Sequence, residues 1–233
     1  MIQSIRRYQA SLDSFIKNNS LPKYMDIKEY GKELVVVILA TIILAITVAF
    51  RDRTIFYAAA LSFLVIFVVN ITMKKIVGYI FQTDIKTKFW TWYQFGLRED
   101  WHFKKPIPMI WLPLIIALFT KGFFWWLPIL EFDVAAKTER VSRRHGLYRF
   151  TQVTEHHMAW IAIWGLIANF VFAITGYILN FELFAKLSIY FIAWSVIPLS
   201  RLDGSKILFG GKVKWSIFFT AAMLLLIWAL TIL

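Results

Sequence analysis

Long apolar runs divide this chain into segments of the length that crosses a lipid bilayer. Six such segments follow one another, separated by polar or basic stretches. They are residues 34–50, 55–81, 109–130, 158–179, 184–199 and 215–233. A helix needs about 20 predominantly apolar residues to span the hydrocarbon core. The pattern therefore predicts an all-α polytopic membrane protein, with a polar N-terminal extension over residues 1–33 and a membrane domain over residues 34–233.

The third segment, residues 109–130, contains Pro113, Pro128 and a central Thr120-Lys121-Gly122 sequence. Suppose that it turns back at residues 120–122 as a re-entrant hairpin. Then 22 of the 26 Lys and Arg residues lie on the cytoplasmic side. Arg51, Arg53 and Lys186 lie outside, and the side of Lys121, in the turn itself, is left open. Because positive charge accumulates on the cytoplasmic side, we predict five full spans plus one re-entrant element, with the N-terminus cytoplasmic and the C-terminus outside.

Composition narrows the possible partners. The chain is 59% hydrophobic, with a mean hydropathy of +0.63 and a formal charge of +12. On a membrane protein such a charge favours contact with anionic lipid headgroups, so membrane lipids are expected partners and nucleic acid is not. The basic run over residues 137–149 is predicted to be a solvated face against those headgroups. There is no cysteine, which excludes disulfides and thiolate metal sites.

The sequence from Pro198 to Lys206, Pro-Leu-Ser-Arg-Leu-Asp-Gly-Ser-Lys, follows an apolar run and carries Asp203 in a Leu-Asp-Gly turn. A carboxylate at membrane depth is costly and marks a candidate functional site. The stretch resembles the second metal-binding motif of the site-2 protease family of intramembrane zinc metalloproteases, N-x-x-P…L-D-G-x-K/R, with Ser195 where the family has Asn. The resemblance implies that Asp203 corresponds to the third zinc ligand and that Gly204 belongs to the same turn.

Two further stretches are similar to the same family. Gly165-Leu-Ile-Ala-Asn169 is similar to the family's G-P-x-x-N, with Leu166 in place of Pro, and residues 74–90 resemble the region after the zinc-binding helix motif of archaeal-type members. The resemblance covers about residues 55–210. It implies a site-2-protease-like core and a groove that Gly165 and Asn169 help to form, with the re-entrant segment and segments four and five as its walls.

The first half of the family's zinc site is missing. The register of the resemblance places H-E-x-x-H on Asn70-Ile-Thr-Met-Lys74, so that Asn70 and Lys74 replace the two His ligands and Ile71 replaces the Glu. An amide is a poor zinc ligand, an ammonium repels a dication, and Ile cannot act as the general base that activates a zinc-bound water. Moreover, residues 34–50 and 55–81 contain no His, Cys, Asp or Glu. A classical site-2 protease centre is therefore not expected, and no cofactor is predicted.

The surviving Asp203 suggests a different arrangement. If the fold is retained, Asp203 approaches the position of Lys74, and the ammonium could replace the metal in a buried ion pair, with Asn70 hydrogen-bonding nearby. Burial of an unpaired carboxylate would be penalised. The competing interpretation is that Lys74 snorkels to the interface while Asp203 caps a helix in water.

His156 and His157, at the start of segment four, permit an alternative metal site. Together with Glu155 and Asp203, one of them could hold zinc in an atypical intramembrane metalloprotease. The competing interpretation, which we favour, is an interfacial position at a helix start, because sequence-adjacent His residues cannot share one helix face.

Three functions follow from these observations. The leading hypothesis is a pseudoprotease, a degenerate member of the site-2 protease family that binds a transmembrane segment or a partner protein in the old groove without cleaving it. The second is the atypical zinc protease based on Asp203 with His156 or His157. The third is a structural subunit of a membrane complex, which docks through residues 1–33 and 137–149.

Overall fold

The computed structural model describes residues 27–94, 102–137 and 153–231, and residues 1–26 of the N-terminal extension lie outside this part. Most of the described residues are helical. The helices are α1 (Ile27–Val48), α2 (Phe56–Ile80), α3 (Leu112–Phe119), α4 (Glu155–Ile178), α5 (Glu182–Val196), α6 (Asp203–Gly210) and α7 (Lys212–Thr231). The strands are β1 (Thr83–Phe89), β2 (Thr91–Gln94), β3 (His102–Pro108) and β4 (Leu130–Ala136).

Four helices in the described part are long and apolar enough to cross a membrane, namely α1, α2, α4 and α7. The remaining predicted span, residues 184–199, corresponds to α5. This helix has only 15 residues and is therefore about 22 Å long. The chain leaves the helical conformation after Val196, where Ile197 is extended. Helix α1 begins at Ile27, so it reaches into the predicted polar extension.

The bundle has two ends. The tip end contains the α1–α2 connection around Arg51, and the base end contains the end of α2 and the start of α4, where the rings of Phe81 and His157 lie 4.9 Å apart. Near the start of α1, Glu33 pairs with Lys75 close to the end of α2. Helix α7 runs from the base end to the tip end, because Ala229 packs with Ala173 near the end of α4. The first and last described residues thus lie at opposite ends, and the predicted sidedness of these ends stays a prediction.

The segment between α2 and β4 leaves the base end and returns to it. The N–H of Lys137 donates to the carbonyl of Gln82 over 3.1 Å, and β1 pairs antiparallel with β4 over their whole length. Between these strands α3 runs towards the tip end, and the chain reverses at Lys121 (φ 51°) and Gly122 (φ 75°). A Cβ on Gly122 would lie 3.2 Å from the backbone nitrogen of Arg51. The chain thus reverses at residues 120–122, where the turn was predicted, and the segment reaches the tip end before it returns to the base end. Its re-entrant placement in a bilayer stays a prediction.

Four short strands were not predicted. Strand β1 alternates buried Ile85 and Thr87 with lysines, and β2 pairs separately with β3. Trp90, between β1 and β2, is fully buried. Its ring stacks on that of Trp126, which lies in the returning arm of the hairpin, the stretch between the turn at Gly122 and β4. The strand pairs β1–β4 and β2–β3 thus satisfy much of the backbone of this segment within the protein, as backbone at membrane depth requires.

Candidate functional site

Asn70 and Lys74 lie one turn apart on α2 and both are buried, with 4% and 6% of their surfaces exposed. Their i, i+4 spacing places both side chains on the same face, which is directed towards α4. There the small size of Gly165 makes room for them, because a Cβ at Gly165 would lie 2.8 Å from Cε of Lys74 and 3.1 Å from Nδ2 of Asn70. Ile71 instead packs against the apolar cluster between α1, α2 and α5.

Asp203 is the first residue of α6 and follows the loop that leaves α5 through Pro198. This loop folds tightly against the start of α6. A Cβ on Gly204 would approach the carbonyl oxygens of Val196 and Ile197 to 2.2 and 2.5 Å. Gly204 thus lets α6 start directly over the end of α5, which places the Asp203 carboxylate inside the bundle.

Gly204→Ala is expected to lower the free energy of unfolding by at least about 1–3 kcal/mol, because backbone atoms cannot move away from the new methyl group as a side chain could. Gly31→Ala is the matched control, since nothing lies within 4 Å of a Cβ there, and this change should be neutral or stabilise α1 by up to about 1 kcal/mol. Thermal unfolding of the two detergent-purified variants measures both effects. Equal unfolding midpoints would contradict the close approach at Gly204.

The Lys74 and Asp203 side chains meet inside the bundle. Nζ of Lys74 donates a hydrogen bond to Oδ2 of Asp203 over 2.6 Å, and each side chain is only 8% exposed. The ion pair predicted as one of two alternatives is therefore the arrangement observed, and Lys74 does not snorkel. The hydrogen bond expected of Asn70 is not made through its amide nitrogen, because Nδ2 is buried without a partner in the described ranges.

A second lysine, Lys206, belongs to the same cluster and was not singled out from the sequence. Its ammonium donates to the backbone carbonyl of Phe132 and lies 3.4 Å from the centroid of the Phe132 ring. Nζ of Lys74 lies 4.5 Å from the same centroid. Burial lowers the pKa of Lys206 to about 8, although the charge of Asp203 opposes this shift. Two lysines thus contact Phe132 and tie β4 of the hairpin to the cluster around Asp203, which lines the same cavity as Phe132.

The space that remains beside the ion pair is small. A cavity of about 30 Å³ lies between α2, β4 and α6 and is lined by Asn70, Lys74, Asp203 and the buried Glu131. Glu131 pairs over 3.1 Å with Lys88, which lies closer to the surface. Such a volume accommodates one or two water molecules and is too small for a peptide backbone.

Asn169, one turn after Gly165 on α4, is 1% exposed. Neither of its amide atoms has a hydrogen-bond partner among the described residues, and the same holds for the buried hydroxyl of Ser188 on α5. Asn169 therefore makes no interhelical side-chain hydrogen bond within this part of the chain.

His156 and His157 are not near Asp203. His156 hydrogen-bonds Trp160 and lies 3.0 Å from Nζ of Lys214, and the backbone of Glu155 adjoins Gly210 at the far end of α6. Asp203, seven residues earlier on that helix, is about 10 Å away along its axis. Within the described ranges no three His, Cys, Asp or Glu residues are gathered in a way that could hold a metal. The metal site proposed from Glu155, His156 or His157 and Asp203 is therefore not assembled.

The residues around Asp203 do not fit a zinc ion. Zinc is bound by neutral imidazole, thiolate or carboxylate, whereas the ligand positions implied by the resemblance hold an amide at Asn70 and an ammonium at Lys74. That ammonium already forms a hydrogen-bonded ion pair with Oδ2 of Asp203. No step of metal-dependent hydrolysis can be derived from this donor set.

The groove implied by the resemblance, with segments four and five as walls, stays a prediction. An apolar groove of about 550 Å³ lies between the returning arm of the hairpin, α5 and α7, whereas α4 does not line it. The walls of this observed groove are therefore the hairpin, segment five and segment six. All of the basic run 137–149 beyond Lys137 lies outside the described residues. Comparison of the chain with protein-family models, curated proteins and solved structures finds no match.

Proposed function

We propose that this chain is a membrane protein with a site-2-protease-like core that binds a transmembrane segment of a partner protein without cleaving it. The observation that carries the proposal is the Lys74–Asp203 ion pair, in which an ammonium stands 2.6 Å from the carboxylate implied as a zinc ligand. Peptide hydrolysis by this family chemistry needs a metal-activated water and a general base, and Ile71 offers no proton acceptor.

The cover over the ion pair supports the same proposal. Phe132 of β4 lies against both Lys74 and Lys206, so an extended substrate could reach Asp203 only if the hairpin were displaced. Displacement would remove the hydrogen bond from Lys206 to the Phe132 carbonyl and leave a buried ammonium without it, which is costly. The site is thus built to stay closed.

The partner-binding surface is proposed to be the outer face of α7. Only 11% of the apolar spanning stretch of this helix is buried in the protein, compared with 33–44% of the corresponding stretches of the other three spanning helices. Ser216 and Thr220 lie four residues apart on its exposed face. Small residues with this spacing let a second helix approach closely in a membrane, where packing drives helix association.

Cysteine crosslinking in native membranes tests this surface. The chain contains no cysteine, so Thr220→Cys provides a single reactive position. Val35→Cys is the matched control, because Val35 is 53% exposed and also lies eight residues into its helix. A thiol crosslinker should give a discrete protein adduct from Thr220→Cys and none from Val35→Cys.

The outcome also separates the alternatives. An adduct that co-purifies at one partner per chain would favour the structural-subunit hypothesis, whereas a transient adduct would favour an adaptor. An adduct of two differently tagged copies of this chain would identify the partner as itself. If both cysteines react alike, or neither gives an adduct, the proposed docking face is wrong.

A further inference from the structure

The apolar groove between the hairpin, α5 and α7 has a cation at one end. Its walls include Phe124 and Trp125 of the hairpin arm, Tyr190 of α5 and Met223 of α7. The aromatic walls are fixed, because the indole N–H of Trp194 donates to the carbonyl of Trp125 over 3.0 Å and the rings of Trp125 and Tyr190 meet edge to face. The groove is therefore a preformed feature of the bundle.

The length of the groove corresponds to one leaflet of a bilayer. Along α5 its lining extends from Lys186 to Ile197, which is about 16 Å at 1.5 Å per residue. Along α7 it extends from Met223, near the middle of that helix, to Leu230 at the tip end. The hydrocarbon core of a bilayer is about 30 Å thick, so the length of the groove is about that of the acyl chains of one leaflet.

Its volume points to a ligand and not to a helix. About 550 Å³ falls within the range of roughly 300–1,000 Å³ that is typical of small-molecule sites. A transmembrane helix about 10–12 Å across and about 30 Å long would exceed the groove in width and length. An acyl chain is narrow, apolar and confined to one leaflet.

Lys186 supplies the polar end of this site. It is half-buried on α5, one turn after Glu182, and it has no ion pair with any residue of the described ranges, including Glu182. An ammonium at this depth calls for an anionic neighbour or for contact with the interface. A phosphate headgroup at the level of the tip end satisfies both conditions.

We propose that the groove holds one anionic phospholipid, with an acyl chain between Trp125, Tyr190 and Met223 and its phosphate on Lys186. The lipid fills the opening between the hairpin and α7 and lies in the leaflet at the tip end. This site differs from the outer face of α7, so the proposal does not depend on the partner-binding function.

Native mass spectrometry of the full chain in detergent, titrated with dioleoyl phosphatidylglycerol or dioleoyl phosphatidylcholine, tests the proposal. One phosphatidylglycerol should be retained per chain, and phosphatidylcholine, whose headgroup has no net charge, should bind more weakly. Lys186→Ala should weaken phosphatidylglycerol binding about fivefold, the effect of one cation near anionic lipid, and Lys186→Arg should preserve binding. Lys121→Ala is the control, because Lys121 is an exposed cation at the same end that does not line the groove.

A second variant blocks the acyl chain and leaves the cation intact. Met223→Trp should abolish the retained lipid while Lys186 remains. Equal affinity for the two lipids, equal losses from Lys186→Ala and Lys121→Ala, or binding that continues past one lipid without saturation would each overturn the proposal. A protein adduct from Tyr190→Cys in native membranes would overturn it as well, because the groove would then hold a polypeptide.

Discussion

Replacing Asn70 and Lys74 with histidine is expected to convert the buried ion pair into a zinc site. The two positions share one face of α2, and Lys74 already brings that face to 2.6 Å from the Asp203 carboxylate. Two imidazoles and one carboxylate form a common zinc ligand set. Gly165 leaves space beside both positions. Elemental analysis of detergent-purified Asn70→His/Lys74→His should find about one zinc per chain.

The controls for this experiment come from the same cluster. The unaltered chain and Asp203→Ala should both lack stoichiometric zinc, and adding Asp203→Ala to the double variant should remove the metal. Zinc in the unaltered chain that is lost in Asp203→Ala would instead support an atypical metalloprotease and refute the proposed function. A double variant that folds but binds no zinc would show that the two α2 positions and Asp203 do not form a metal site, and would weaken the resemblance to the site-2 protease family.

Peptide hydrolysis is not expected from the double variant. Ile71 still offers no general base, and Phe132 still covers Asp203, although it loses its contact with the Lys74 ammonium. The double variant thus separates metal binding from peptide cleavage. Metal binding depends on the three ligand side chains, whereas cleavage also depends on a general base and on access of a substrate to the site. Activity belongs to the site and not to the fold.

The sequence was most informative where a charge stands in apolar surroundings. Lys74 and Asp203 are 129 residues apart in the chain, yet each is conspicuous, because burial of either charge alone would be costly. The distribution of Lys and Arg likewise indicated a reversal in the segment 109–130, and the turn at Lys121 and Gly122 lies where that argument placed it. These features are predictable because a charge inside the hydrocarbon core is costly, whatever the surrounding sequence.

The strands and the second lysine could not be predicted in the same way. Strand β1 is amphipathic over seven residues, and its lysines resemble those of a basic loop until β4, more than 40 residues later, is known to pair with it. Lys206 occupies the last position of the L-D-G-x-K pattern, so the residue was visible, but its acceptor is the backbone carbonyl of Phe132. Every residue has a carbonyl, so no side-chain pattern identifies this one.

The Lys74–Asp203–Lys206 cluster predicts an unequal effect of removing its charges. Asp203→Asn should lower the free energy of unfolding by about 3–5 kcal/mol, because it leaves the buried Lys74 ammonium without its carboxylate and removes a favourable negative charge near Lys206. Lys74→Met should cost less, since Asp203 keeps the favourable interaction with Lys206. For a chain of this size the larger loss corresponds to a decrease of about 10 °C in the unfolding midpoint, which thermal unfolding in detergent measures.

Restoring charge balance should restore stability. Lys74→Met/Asp203→Leu still buries the Lys206 ammonium, so it should recover only part of the loss, and adding Lys206→Met should recover most of the remainder, since apolar replacement of a whole buried charge set is often neutral. Lys121→Met, at an exposed position outside the cluster, is the control and should change the midpoint little. If Asp203→Asn costs no more than Lys74→Met, Asp203 is not shared between two lysines. The hairpin would then be held over the site by the Phe132 contacts alone, and closure of the site would not depend on the carboxylate.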